Sequence, residues 1–168
     1  MQRQQGFSLI DLLIVVAIIL VIAAIAVPNL LRAKIAANEA SAARTVREIT
    51  TAQVGYQATY PLVGFAPNLI NLGGALPCFP SAATACILDD QVSSGTKSGY
   101  KVFAAGFATG GAAINTVFVG STAPIAFNQS GVRNFCMVGD GVLRIHPGVP
   151  GLPPAPDVAT CLAYPIAQ

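Results

Sequence analysis

Gly6-Phe7-Ser8-Leu9-Ile10-Asp11 leads into unbroken apolar sequence from Leu12 to Val27, closed by Pro28, and the rest of the chain has to be read around that stretch. At roughly 1.5 Å per helical residue, Phe7 to Val27 spans about 31 Å, close to the ~30 Å hydrocarbon thickness of a bilayer. The segment is therefore expected to cross a membrane as a helix. Its one anomaly is Asp11. An ionised carboxylate at the centre of a spanning helix costs at least ~2.5–3.5 kcal/mol, so a chain that keeps one normally has a partner for it. From Phe7 to Pro28 there is no Lys, Arg or His.

A cut between Gly6 and Phe7 would create a partner. The new α-amine of Phe7 would stand one helical turn from Asp11, at i to i+4 on the same face. Within one chain both groups remain among apolar neighbours. Between copies stacked with a small axial stagger, the Asp11 of one meets the amine of the next, and a charge that lipid destabilises becomes an assembly signal.

A short polar leader ending in Gly6, followed by Phe7-Ser8-Leu9-Ile10-Asp11-Leu12-Leu13, resembles the prepilin signal of type IV pilins and of type II secretion pseudopilins. The resemblance extends well to about Pro61 and beyond that only in layout. It implies that a prepilin peptidase in the membrane cuts after Gly6 and that Phe7 becomes the N-methylated terminus. It also implies that Asp11 sets the register of assembly against a neighbour's amine. The family usually has glutamate at this fifth position after the cut; Asp11 matches it in charge and is one methylene shorter.

Composition sets the outer bounds. The chain has 168 residues, of which 54% are hydrophobic and 10% charged, with a mean hydropathy of +0.64. That is too apolar for an ordinary soluble domain, although one N-terminal helix explains much of the excess and leaves one modest globular domain. The formal net charge of +2 comes without a basic run, so nucleic acid is not implied as a partner. A conventional secretory signal is the rival reading of the N-terminus, since Ala24-Ile25-Ala26 offers an A-x-A cleavage site. Against it, Asp11 interrupts the apolar region, that region is over-long, and the helical pattern continues past the supposed cut. Arg3 lies on one side of the span and Arg32 and Lys34 on the other, so charge does not fix orientation. An external C-terminal domain is inferred from the cysteines and the family resemblance.

Pro28 falls inside what reads as one continuous helix, where it removes the bond to the Ala24 carbonyl, and a kink or loosened turn is expected. One reading is a helix bending as it leaves the membrane; the other, implied by similar pilins, is a segment that melts on assembly and lets a fibre stretch. Beyond it the pattern turns amphipathic. Ala42, Val46, Ile49, Gln53, Tyr56 and Tyr60 recur at alternating four- and three-residue steps, with Arg44, Arg47 and Glu48 elsewhere around the helix. Ala33, Ala36, Ala37, Ala40, Ala42 and Ala43 would permit close approach of neighbouring helices, or simply favour helix. Tyr60 before Pro61 is the expected stop.

Residues 61–98 read as a long Gly- and Pro-rich connection, which in pilin-like folds is exposed on the filament surface. Asp89-Asp90 is read as a solvated turn; a calcium site would need more oxygen ligands than lie nearby. After Gly99 the period changes to two. Tyr100 to Phe107 and Ile114 to Val119 are separated by Gly110-Gly111, and Val132 to Val138 and Val142 to Ile145 flank Gly139-Asp140-Gly141, which suits a type I′ turn or a close variant. Four antiparallel strands are expected, with Phe103, Phe107, Phe135, Leu143 and Ile145 on one face against the helix. The proline-rich tail, 147–168, needs tying down. Four cysteines permit three connectivities; Cys78 with Cys86 and Cys136 with Cys161 is preferred on proximity and because the second bond would pin the tail. An even count outside the membrane suits an oxidising compartment.

No enzyme is legible. His146, the single histidine, stands beside Pro147 without a nucleophile or a carboxylate dyad at motif spacing. The Cys78 to Cys86 interval is wrong for a zinc knuckle and no phosphate loop follows a strand, so neither cofactor nor metal is expected. Asn128-Gln129-Ser130 is a glycosylation sequon of a common kind. Aromatic residues make up 7%, without the periodic row along a helix that electron conduction would suggest.

The expected fold is α+β, a long N-terminal helix packed on a small antiparallel sheet. The expected organisation is a leader (1–6), a membrane and assembly helix (7–28), an amphipathic helix of a globular head (29–60), a connection (61–98), a sheet (99–146) and a tied tail (147–168). A greasy helix with a buried charge, joined to a polar-surfaced head, gains most by repeating head-to-tail about a screw axis, which yields an open filament. The expected role is a type IV pilus subunit, held in the bacterial inner membrane and polymerised into an extracellular filament of identical copies. Its partners are the prepilin peptidase and an inner-membrane assembly platform. The alternatives are a type II secretion pseudopilin in a short periplasmic filament, disfavoured by the absence of tryptophan and of a C-terminal acidic calcium loop, and a monomeric membrane-tethered binding domain.

Overall fold

The computed structural model describes residues 9–167, which divide into two compact units, one reaching Lys34 and one beginning at Ile35. Helix α1 (Leu9–Thr59) contributes to both. In the first unit nothing covers it. Every large apolar side chain from Leu9 to Leu31 is exposed, on all sides of the helix, the pattern of a membrane span and not of a surface helix with one apolar stripe. Among the described residues it is the helix long and apolar enough to cross a bilayer. The helix continues through Pro28 without interruption.

In the second unit α1 has one buried stripe, Glu39, Ala42, Thr45, Val46, Ile49, Ala52, Gln53 and Tyr56, close to the expected set. Of the small residues, Ala42 and Ala43 are used against this unit's own sheet, while Ala33, Ala36, Ala37 and Ala40 stay exposed. The helix ends at Thr59, one residue before Tyr60-Pro61, because a residue preceding proline is driven from helical geometry.

The sheet has five antiparallel strands in sequence order: β1 (Thr96–Lys97), β2 (Tyr100–Phe107), β3 (Val117–Pro124), β4 (Asn134–Val138) and β5 (Arg144–His146). Two details differ from expectation. The third strand starts at Val117 and runs on to Pro124, with Tyr100 opposite Pro124 and Phe107 opposite Val117; Gly120-Ser121-Thr122-Ala123-Pro124 has the composition of a turn but lies between two strands that pair with it. A two-residue strand, β1, adds an edge.

The register also corrects the face assignment. Phe103 is opposite Ser121, and Ser121 is opposite Cys136, so Phe103 and Phe107 share a face with Cys136 and point away from α1. Phe135, Leu143 and Ile145 do face the helix, with Ala42, Val46, Tyr100 and Met137. Strand period is two, so residues of odd and even number on β2 go to opposite faces. Phe103 and Phe107 pack instead with Val119, Cys136, Val138 and the tail residues Ala155, Val158, Cys161 and Tyr164. The tail is thus a second layer. Both faces of the central strands are covered, and β4 is buried along its whole length.

Three short helices complete the unit: α2 (Leu69–Leu72) and α3 (Asp90–Ser93) in the connection, and α4 (Val158–Leu162) in the tail. Leu69, Leu72 and Val92 join Ile49, Ala52, Tyr56, Val102 and Ala104 in the core under the C-terminal part of α1.

Candidate assembly site

Asp11 stands in the first turn of α1, the one acidic residue there, with Leu9, Ile10, Leu12 and Leu13 exposed beside it. Gly6 and Phe7 lie outside the described residues. Pro28 is within the exposed apolar part of the helix.

The head is fastened by polar side chains acting on distant backbone. Glu39, 6% exposed, accepts hydrogen bonds through Oε1 from the backbone N–H groups of Val132 (2.9 Å) and Arg133 (3.1 Å), and through Oε2 from Arg133 Nε (2.8 Å) and Nη2 (2.6 Å). Burial works against its charge, but the Val132 and Arg133 donors outweigh that and hold the carboxyl below the usual glutamate range. Gln53, fully buried, acts as a surrogate backbone: its Oε1 accepts from Ala66 N–H (2.8 Å) and its Nε2 donates to the Ala66 carbonyl (3.3 Å). Tyr56 donates to the Ala82 carbonyl at 2.6 Å and Tyr100 to that of Arg133 at 3.1 Å. Burial raises both phenols above their ordinary range.

The cysteines form two bonds, Cys78–Cys86 with Cα atoms 6.0 Å apart and Cys136–Cys161 with 5.8 Å. The first closes a ring within the connection; the second joins β4 to α4. Around it, Asp157 caps α4 by accepting from Thr160 N–H (2.7 Å), Ser121 donates to the Ala155 carbonyl (2.8 Å) and Asn134 to that of Pro153 (3.1 Å). Residues 165–167 lie along β5, with Ile145 N–H bonded to Pro165 (2.8 Å) and Ala167 N–H to Leu143 (3.0 Å).

Asp140 has a second task besides its turn. It holds Arg144, which is nearly buried, through both carboxylate oxygens (3.1 and 2.6 Å), and Arg144 is the main cause of the lowered Asp140 pKa. Positive φ falls on Gly141 and not on Asp140 or Gly139, so this connection is not a type I′ turn, which needs positive φ at both central positions. Asp89 caps α3 by accepting from Val92 N–H (2.7 Å) and faces Lys97 (3.5 Å). His146 accepts from Gly148 N–H through Nδ1 (3.0 Å) and packs on Tyr164. In the sequon, Ser130 Oγ bonds to both backbone groups of Ala126. Sequence reasoning did not single out Glu39, Arg133 or Arg144; the opposite charges of Asp140 and Arg144, close together in sequence, were the available signal for one pair.

Residues 1–27 match the prokaryotic N-terminal methylation motif. The chain is 32% identical over 118 residues to the type IV major pilin protein of Myxococcus xanthus, covering 57% of this chain and 54% of that one. It is 42% identical over 57 residues to the type IV wide pilus major component of Thermus thermophilus, covering 34% and 44%. The motif and these relatives together support a member of the type IV pilin family. The chain spans about half the length of the curated relatives it matches, and no solved structure matches it.

Proposed function

We propose that the protein is a structural subunit of a type IV pilus, with no catalytic role. It is held in the bacterial inner membrane by α1 and polymerised there into an extracellular helical filament. A prepilin peptidase removes residues 1–6 by cutting between Gly6 and Phe7, Phe7 is methylated, and an inner-membrane platform drives assembly. Residues 7–28 supply the assembly helix and residues from 29 onward the head, its connection, sheet and tied tail. The observation that carries the reading is an apolar helix exposed on every side with one carboxylate, Asp11, in its first turn. In a filament, the helices of other copies replace lipid around it, and the amine of a neighbouring Phe7 supplies the counter-charge that lipid cannot.

The test is Asp11→Ala. The variant should insert, lose its leader and acquire the methyl group as judged by intact mass, yet give no long fibres in electron micrographs of sheared cells. Unchanged fibres, or a mature chain beginning elsewhere than Phe7, would refute the reading.

A further inference from the structure

The two disulfides stand in unlike surroundings. Cys136 and Cys161 are fully buried, inside the layer that Phe103 and Phe107 form with the tail. Cys78 and Cys86 are partly exposed and line a surface pocket of about 280 Å³ together with Gly74, Leu88 and Asp90. Exchange at a disulfide requires a thiolate to reach one of its sulfurs, so access decides which bond reacts while the fold is intact.

The backbone around the first bond is fixed on one side only. Ala85 N–H bonds to the Asn71 carbonyl (2.8 Å), Cys86 N–H to that of Gly73 (3.1 Å), and Ile87 and Leu88 N–H to that of Leu72 (2.8 and 2.9 Å), so Cys86 is held beside α2 without help from its sulfur. The turn before it is also tied: the Ala82 carbonyl accepts from Tyr56 (2.6 Å) and the Ala83 carbonyl from Asn71 (3.1 Å). Residues 74–80 are not. Among the described residues, the hydrogen bond that reaches them is the one from Thr84 Oγ1 to the Phe79 carbonyl, at 3.4 Å. Ala75, Leu76, Pro77, Phe79 and Pro80 are all exposed, Leu76 by 90% and Phe79 by 78%. With little buried apolar area and no ladder of backbone bonds to fasten it, this strap is kept in place by Cys78. Gly74 belongs to the closed state, since a Cβ there would collide with Cys78 Sγ.

We propose that Cys78 and Cys86 form a thiol-exchange site, at which a small thiol opens the bond and releases residues 74–80 while the core and the Cys136–Cys161 bond stay intact. The thiolate attacks one sulfur of the pair and joins it in a mixed disulfide, and the other sulfur leaves as a thiolate that takes up a proton. A second thiolate attacks the small-molecule sulfur of the mixed disulfide and expels the remaining cysteine, which is protonated in turn. Two small thiols are thereby oxidised to one small disulfide, and the protein disulfide gains two electrons and two protons. The small disulfide drives the reverse reaction, for which Cys86 is already in position and only the strap has to return. The exchange changes the surface of the head at one place and leaves its core alone.

The experiment holds the full chain in detergent in graded ratios of mercaptoethanol to its disulfide, blocks free thiols with N-ethylmaleimide and locates the label by peptide mass. Cys78 and Cys86 should be labelled at least tenfold sooner than Cys136 and Cys161, and the small disulfide should restore the bond. In the selectively reduced chain, proteinase K should cut between residues 74 and 80 at least tenfold faster, while amide exchange at 85–88 and from Glu39 to Tyr56 stays unchanged. Gly74→Ala should raise the ratio of dithiol to disulfide about tenfold at a fixed thiol ratio, because opening relieves the collision with Cys78. Labelling of all four cysteines together, or of none until the head unfolds, overturns the site. Equal cleavage of the two forms, faster exchange at 85–88 on reduction, or an unchanged ratio in Gly74→Ala overturns the strap as the part that moves.

Discussion

Glu39 is the carboxylate that the head buries, and its four acceptor contacts bridge α1 to two backbone N–H groups 93 and 94 residues away and to the Arg133 guanidinium. Because its folded pKa is depressed, its contribution is complete above the unfolded value of about 4.3 and disappears as pH falls through the lower folded value. Glu39→Gln keeps the shape but replaces one acceptor oxygen with a donor facing Arg133. It should cost about 2 kcal/mol at neutral pH, on the order of 6 °C in melting temperature, and make the loss of stability below about pH 4 shallower. Thermal melts of both proteins between neutral pH and acid check this; parallel curves would deny Glu39 the role. Glu39 was illegible in sequence because it lies amid alanines, and its partners are fixed only when the chain returns at Val132. Asp11, Gly6 and Phe7 were legible for the opposite reason: their chemistry is local and written at fixed spacing.

At the scale of the element, the packing of α1 on the sheet depends on Gly120. A Cβ built there would lie 2.8 Å from Ile49 Cγ2 and 3.4 Å from Ile49 Cβ, and a β-branched side chain in a helix has no free rotamer into which to retreat. Gly120→Ala should therefore destabilise by about 1–3 kcal/mol through overpacking. Ile49→Ala costs stability alone, but combined with Gly120→Ala it should recover part of the loss, a coupling that a double-mutant cycle by chemical denaturation reads directly. Strict additivity would mean that helix and strand do not meet at this point. The same glycine explains the misplaced strand. Gly120-Ser121-Thr122-Ala123-Pro124 looks like a turn because its residues are small, Gly120 where α1 approaches closely and Ser121 where it bonds to the tail, not because the chain reverses. Alternation was legible in β2, but which of its faces met α1 was not. Tyr100 and Phe103 put an aromatic ring on each face, and only the packing shows that Tyr100 meets α1 and Phe103 the tail. Nor did composition show that a proline-rich tail would form a layer. Its carbonyls accept from Ser121 and Asn134, and its prolines bring no N–H groups that would need partners of their own.

For the whole molecule, the decisive contrast is between a unit whose described large apolar residues are all exposed and a unit whose sheet is covered on both faces. The second has its own core, so a chain shortened to residues 29–168 should be soluble without detergent, while the complete chain needs detergent or lipid. Its stability should depend on the bond between Cys136 and Cys161, which closes a 25-residue separation and is worth about 3.5 kcal/mol by the chain-entropy model. Cys136→Ala with Cys161→Ala should lower the denaturation midpoint accordingly and free the tail, so that amide exchange quickens in β4 and in residues 143–146, where the tail covers the sheet and its edge. Exchange in the Glu39 to Tyr56 part of α1 should change least, because that face of the sheet is packed independently of the tail. Uniform acceleration across both faces would show that the two layers fold as one cooperative unit, and the tail would then be part of the core and not a clasp laid over it.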